Sequence, residues 1–266
     1  MNIYIKLFCF LTFLSNTPCR SQNIDTGQIE YEISMPRTNG KLFENSVLVF
    51  NDSISIFTYR KVGLNELENS ISKSDEGNVS IKTKKEDEFG SAIYRNFNTR
   101  EIIFRKVTSK FYNAKLVEDN WVSFDWRIKD EFKKINNYNC QKAIGKFRGR
   151  KYTAWFSEEL PLKYGPWKLY GLPGLILEAF DEKKEFTAKV KKIVVPMKFE
   201  NDELIKPNNG EKLTIKEFAE FQKNIPNLMM NKIKTKMPRG MKFTFKKPKT
   251  NFIELKFEWE EEIKED

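Results

Sequence analysis

Apolar and polar positions alternate along much of the chain. Ile29, Tyr31, Ile33 and Met35 stand two apart with polar residues between them, the period of a strand with one buried face. Ser46 to Phe50 and Ile54 to Tyr59 flank Asn51-Asp52 and predict a hairpin. Ala92 to Asn96 and Glu101 to Lys106 flank Phe97-Asn98-Thr99 and predict another. Val122, Phe124 and Trp126 alternate with Trp121, Ser123 and Asp125, which predicts a further strand. Phe147 to Phe156, Leu175 to Phe180 and Phe186 to Val195 follow at short intervals. Met241, Phe243 and Phe245 alternate, and so do Ile253, Leu255, Phe257 and Trp259. Short strands joined by short turns predict a mainly β chain of the α+β kind. Its centre is an antiparallel sheet.

Two segments break this period. Residues 63–90 are rich in Glu, Lys, Ser and Asn and predict a flexible insertion or long loop. Residues 214–225 predict the one main packing helix. Thr214 and Glu217 have the spacing of a capping box. Ile215, Phe218, Phe221 (or Gln222) and Ile225 share one helical face, and Pro226 is expected to end or kink the helix.

The N-terminus reads as an address. Lys6 precedes the apolar run Leu7 to Leu14, which is followed by polar residues up to Gln22. That is the layout of a secretory signal peptide over residues 1–21, with Cys19 and Ser21 as the small residues before the cut. A lipid anchor at Cys19 is disfavoured by Asn16-Thr17-Pro18. The expected product is one domain over 22–266, exported and periplasmic or secreted. Losing Lys6 and Arg20 lowers the net charge from +10 to +8. Cys140 becomes the one thiol, so no internal disulfide forms and a buried, unreactive Cys140 is expected. The basic stretch Lys232–Lys249 precedes an acidic tail and suggests contact with an anionic surface. Lysine in place of clustered arginine, together with export, argues against nucleic acid.

Residues 138–180 are the most distinctive part of the chain. They read Tyr-Asn-Cys-Gln-Lys-Ala, then Phe-Arg-Gly-Arg-Lys-Tyr-Thr-Ala-Trp-Phe, then Leu-Pro-Leu, Gly-Pro-Trp and Gly-Leu-Pro-Gly-Leu-Ile-Leu-Glu. This order resembles the GLPGLI family of exported Bacteroidota proteins, whose hexapeptide falls on Gly171 to Ile176. The resemblance implies export and supplies no reaction. A looser similarity in element order to the LolA/LolB envelope carriers implies a curved antiparallel sheet or half-barrel meander wrapped over the one packing helix, open at an apolar mouth.

In Leu172-Pro173-Gly174-Leu175 the proline suits a φ of about −65° and the glycine a positive φ, so a type II turn is expected. Gly165, Pro166 and Gly171 are read as further turn residues. Trp155, Trp167, Tyr170, Leu172 and Pro173 are the candidate ligand or partner surface. Lys168 reads as a surface position whose truncation should cost no more than about 0.5 kcal/mol.

No histidine occurs in the chain, which excludes Ser-His-Asp and Cys-His nucleophiles and histidine-ligated metals. No glycine-rich phosphate loop, CxxC pair or calcium loop is present, so no metal and no cofactor is expected. Carboxylate chemistry would have to come from Asp125, Asp130 and Glu131, and a hydrolase is the weakest reading. The expected function is a non-enzymatic binding module of the cell envelope for an apolar or amphipathic ligand. The alternative is a protein-interaction partner of an outer-membrane or secreted complex.

Overall fold

The structure, a computed structural model, describes residues 25–37, 40–59, 70–73, 79–82, 90–107, 112–198, 204–235 and 252–260. The signal-peptide segment, the alternation at Met241, Phe243 and Phe245, and the basic side chains of 232–249 lie outside the described residues. In chain order the strands are β1 (Gly27–Arg37), β2 (Gly40–Phe50), β3 (Ile54–Tyr59), β4 (Ser70–Lys73), β5 (Val79–Lys82), β6 (Ser91–Asn96) and β7 (Glu101–Lys106). They continue as β8 (Lys115–Asp119), β9 (Arg127–Ile135), β10 (Tyr138–Phe147), β11 (Arg150–Ser157), β12 (Leu175–Asp181), β13 (Thr187–Val194) and β14 (Glu211–Thr214). One helix, α1 (Ile215–Thr235), follows.

Twelve strands form one open sheet in the order β14-β8-β7-β6-β3-β2-β1-β13-β12-β11-β10-β9. Most neighbours are hairpins, as the short turns predicted. Asn51 closes the β2–β3 turn by accepting at Oδ1 from the amides of Ser53 (3.1 Å) and Ile54 (2.8 Å). The long-range seam is β1 against β13, with Tyr31 opposite Val190 and Ile33 opposite Ala188. At one edge β14 pairs with β8 in parallel, and β9 is the other edge. The mainly β class, the antiparallel sheet and the one main helix agree with the sequence reading.

The curvature follows from who touches whom. Trp167 packs on Tyr152 of β11, and its carbonyl accepts from Nη2 of Arg95 on β6 at 3.2 Å. Those strands are six steps apart in the sheet, which is about 29 Å if flat. One residue can reach both only because the sheet rolls around it. Alternation puts Ile29, Tyr31, Leu48, Phe50, Phe57, Ile93 and Phe104 on the inner face. The β11–β12 loop, residues 158–174, fills that face with Leu160, Leu162, Tyr164, Trp167, Leu169 and Leu172, all buried in the same cluster.

Helix α1 packs on the β14 side of the sheet, with Phe218 edge-on to Phe104 at 5.1 Å. The capping box forms as its spacing predicted. Glu217 Oε2 accepts from the Thr214 amide at 2.8 Å, and Thr214 Oγ1 accepts from the Glu217 amide at 3.3 Å. Pro226 does not end the helix, which runs to Thr235. A proline removes one hydrogen bond, and α1 carries that loss at a buried position.

Three more expectations are corrected. Residues 120–126 are irregular, because their backbone crosses from one edge of the sheet toward the other. Their aromatic rings instead pack onto the filling loop, where Trp126 Nε1 donates to the Tyr170 carbonyl at 2.9 Å. Residues 252–257 are no strand either. Glu254 and Phe257 are buried and Leu255 is exposed, a spacing set by the partners beneath them. Within 63–90, β4 and β5 pair as a separate antiparallel ribbon where only a loop was expected; Ile71, Val79 and Ile81 supply its β-branched residues.

Candidate functional site

The residues singled out in the sequence occupy different environments. Trp167, Tyr170 and Leu172 are buried, and Pro173 is exposed beside the turn. Trp155 is half-buried on the outer side of β11, with the Lys133 ammonium 4.4 Å from its ring centre. Gly165 and Pro166 are buried in the loop. Gly171 has φ +90°, whereas Gly174 has no positive φ. A side chain at Gly174 would instead strike the backbone of Ser157. The expected type II glycine is therefore corrected: position 174 demands glycine because two backbones approach closely. Trp167 itself takes a left-handed φ of 56°.

Lys168 is the clearest correction. It is buried, and its ammonium bonds Asp119 Oδ2 at 2.6 Å and both carboxylate oxygens of Glu254 at 2.8 and 3.0 Å. Arg148, in the β10–β11 turn, joins the same acids. Its Nη2 and Nη1 donate to the two oxygens of Asp119 at 2.6 and 3.0 Å, and Nη1 also donates to Glu254 Oε1 at 2.5 Å. Nε donates to Glu258 Oε1 at 2.8 Å. The side chains of Asp119, Arg148, Lys168 and Glu254 are 1, 1, 4 and 7% exposed, and that of Glu258 is 38%. Asp119 ends β8 and Arg148 joins β10 to β11, eight to nine strand steps away in the sheet, so the pair locks the rolled sheet across its opening. Burial alone would raise the Asp119 carboxyl. The Lys168 ammonium and the Arg148 guanidinium outweigh it and hold the group below the usual carboxylate range.

Sequence reasoning missed this cluster because charged residues default to solvent. The usable signal was Arg148-Gly149-Arg150 at a tight turn between apolar strands. Arg150 closes the neighbouring corner by bonding Asp181 and Glu185, each at 2.7 Å, and the carbonyls of Phe252 and Ile253. Arg95 is also buried; burial lowers it to about 10, and its guanidinium lies 4.7 Å from the Tyr170 ring centre.

Beside the cluster a groove of about 690 Å³ opens at the β10–β11 turn. Phe147, Phe257 and Val122 form its apolar part, and Arg148 and Glu258 also line it. The Arg148 guanidinium is about equally far from the Phe147 and Phe257 rings, at 5.1 and 5.0 Å. Lys146, Lys151 and Lys256 line the same groove with Glu182. Lys146 and Lys151 are cross-strand partners and also line an adjoining depression of about 360 Å³ with Asp125 and Arg127.

An ionised Asp119 clamped by two cations has no proton to give, so it is not a general acid. Asp125, Asp130 and Glu131 are exposed, and Glu131 is paired with Lys142 at 2.8 Å. Among the described residues no group of three or more Cys, Asp or Glu is placed to hold a metal ion. No helix among them is long and apolar enough to cross a membrane. Cys140 is fully buried and burial pushes its thiol up to about 11, so at neutral pH it is protonated. Labelling with a maleimide or aromatic disulfide should be slow in native buffer and fast in denaturant. Stoichiometric native labelling within seconds would contradict the burial.

Residues 148–178 match a family model described as a protein of unknown function, Porph_ging. That stretch spans the β10–β11 turn, β11, the filling loop and the start of β12, and it is the segment on which the GLPGLI resemblance rests. No curated protein matches the chain. Among solved structures, PNGF-II aligns at 13% identity and TM-score 0.49 over 74% of this chain and 32% of its own. This chain thus spans about a third of PNGF-II. An uncharacterized conserved protein from Thermus thermophilus aligns at 12% identity and TM-score 0.36, over 72% of this chain and 91% of that one. A LolA superfamily protein from Nitrosomonas europaea aligns at 9% identity and TM-score 0.28, over 69% and 91%. These are likenesses of overall arrangement only.

Proposed function

We propose that the protein is an exported, non-enzymatic binding module of the cell envelope, and that its groove at the β10–β11 turn takes an amphipathic anion. The observation that carries this reading is the groove's lining. Phe147, Phe257 and Val122 give an apolar strip, while the three lysines Lys146, Lys151 and Lys256 outnumber the two lining acids Glu258 and Glu182, the latter paired with Lys151 at 3.6 Å. Arg148 and Arg150 are neutralised from behind by buried acids, so the lysines set the sign of the rim. A purely apolar ligand is less well served. The inner face that would hold it is occupied by Leu160, Tyr164, Trp167 and Leu172. The clamped state of Asp119 supports binding over catalysis. Export rests on the pattern of residues 1–21 and on the GLPGLI resemblance, and Lys232–Lys249 would add attraction to an anionic surface.

Calorimetric titration with lysophosphatidylglycerol below its micelle concentration tests the reading, with lysophosphatidylcholine as the neutral-headed control. Saturable binding of the anionic amphiphile is expected, weakened about tenfold or more by Lys146→Glu with Lys151→Glu, since each tenfold is about 1.4 kcal/mol. No binding, or equal binding by the double variant, would overturn it.

The second reading, a protein partner, is favoured by the edge strand β9. Phe132 and Ile128 there are 63 and 47% exposed beside backbone that, among the described residues, has no neighbouring strand on its outer side. It predicts engagement of β9 by an extended segment, leaving the groove free.

A further inference from the structure

Arg148 is held by three carboxylates, and they are not equivalent. Asp119 takes the end-on fork of Nη1 and Nη2, and Glu254 shares Nη1. Both acids are also bonded by the Lys168 ammonium and are almost free of solvent. Removing either from its place would strand buried charge. Glu258 differs on each count. It takes the side-on edge, with Oε1 on Nε at 2.8 Å and Oε2 on Nη2 at 3.3 Å. Lys168 does not bond it, its side chain is 38% exposed, and it lies on the wall of the groove. It sits in a single 3-10 turn, Glu258–Glu260, near the end of the C-terminal segment.

The side-on edge of a guanidinium is a bidentate site for any carboxylate or phosphate. Here Glu258 closes that edge, both residues line the groove with Lys146, Lys151 and Lys256, and the Phe147 and Phe257 ring centres lie 5.1 and 5.0 Å from the guanidinium carbon. We infer that Arg148 is the anion-recognising residue of the groove, and that Glu258 is a built-in competitor that an incoming acidic head group displaces. This rests on the groove reading above and names its regulation. Ligand and Glu258 carry the same charge and seek the same two N–H groups, so binding one expels the other. Asp119, Glu254 and Lys168 stay in place and keep the guanidinium aimed. The shared chemistry is an oxyanion able to take two parallel N–H bonds, whether on a lipid head or as free phosphate.

The test compares the parent with Glu258→Gln and Glu258→Asp, using lysophosphatidylglycerol and, separately, inorganic phosphate as probes. Glutamine keeps the shape and loses the charge; aspartate keeps the charge but is too short to span Nε and Nη2 from the same backbone position. Both variants should bind lysophosphatidylglycerol more tightly than the parent, glutamine by about tenfold. Neither should bind lysophosphatidylcholine more tightly. Inorganic phosphate should compete with the amphiphile in Glu258→Gln if the head group alone is read; failure to compete, with the tenfold gain intact, assigns the site to the amphiphile. Unchanged or weaker affinity in both variants overturns the inference. If the parent's binding then still depends on Lys146 and Lys151, the groove reading survives without it. If no form binds, both fail together. Thermal unfolding of each variant shows that the comparison is made on folded protein.

Discussion

Gly174→Val is expected to lower the stability of the protein by about 3 kcal/mol, and Gly174→Ala to cost nearly as much. A Cβ at this position would lie 2.1 Å from the Ser157 carbonyl oxygen, 2.4 Å from its carbon and 2.8 Å from the Glu158 nitrogen. All three are backbone atoms, so nothing can rotate aside. They also sit at the point where the filling loop closes on itself. Ser157 pairs with Leu175, and the Leu175 amide donates to the Leu160 carbonyl at 2.9 Å. Relieving the clash means opening that closure, and with it the seating of Trp167 and Leu172 in the core. Gly171→Ala is the informative contrast. Its φ is +90° with nothing within 4 Å of the added carbon, so it should cost only backbone strain, about 1 kcal/mol. Denaturant midpoints of the three variants decide between close approach and positive φ as the reason for the second glycine of the hexapeptide. A Gly174→Ala cost no larger than that of Gly171→Ala would sink the close-approach account.

That glycine shows where the sequence is legible and where it stops. The Pro173-Gly174 pair announces a bend through its local chemistry, but the atom that excludes a side chain belongs to Ser157, outside the bend. The alternation of Ile29, Tyr31, Ile33 and Met35 was readable because a strand's faces are fixed by its own period. The capping box of Thr214 and Glu217 was readable because both partners lie within one turn. Residues 120–126 and 252–257 alternate in apolar character just as well, yet they lie across the ends of other strands and form no ladder. The ion cluster was out of reach for a similar reason. Arg148 finds Asp119 and Glu254 only after the sheet has rolled, and a lysine between Trp167 and Leu169 carries no local mark of burial. Its sequence neighbours did carry one: Gly165 to Leu172 is apolar except for Lys168, an environment in which a lone charge must find a partner.

Lys168→Ala should therefore destabilise the protein by about 3–5 kcal/mol at pH 7, the cost of breaking a buried pair from one side. The ammonium is bonded to Asp119 and to both oxygens of Glu254, and it lies 4.1 Å from the Phe104 ring centre. Without it, two buried carboxylates and the half-exposed Glu258 share the single charge of Arg148. The effect has a direction with pH. In the parent the folded state holds Asp119 below the ordinary carboxylate range, so the unfolded chain binds its proton first as pH falls. The stabilisation from this group is complete above about pH 4, where the unfolded carboxyl is ionised. It is lost as pH drops through the lower folded value. In Lys168→Ala the desolvation of Asp119 is opposed by Arg148 alone, so protonation there relieves the folded state. The gap between parent and variant should be widest near neutrality and narrow in acid. Chemical denaturation of both proteins at pH 7 and near pH 3.5 measures it. Equal midpoints at pH 7, or a gap that widens in acid, would mean that Lys168 is no part of a buried lock and that the rolled sheet is held across its opening by Arg148 alone.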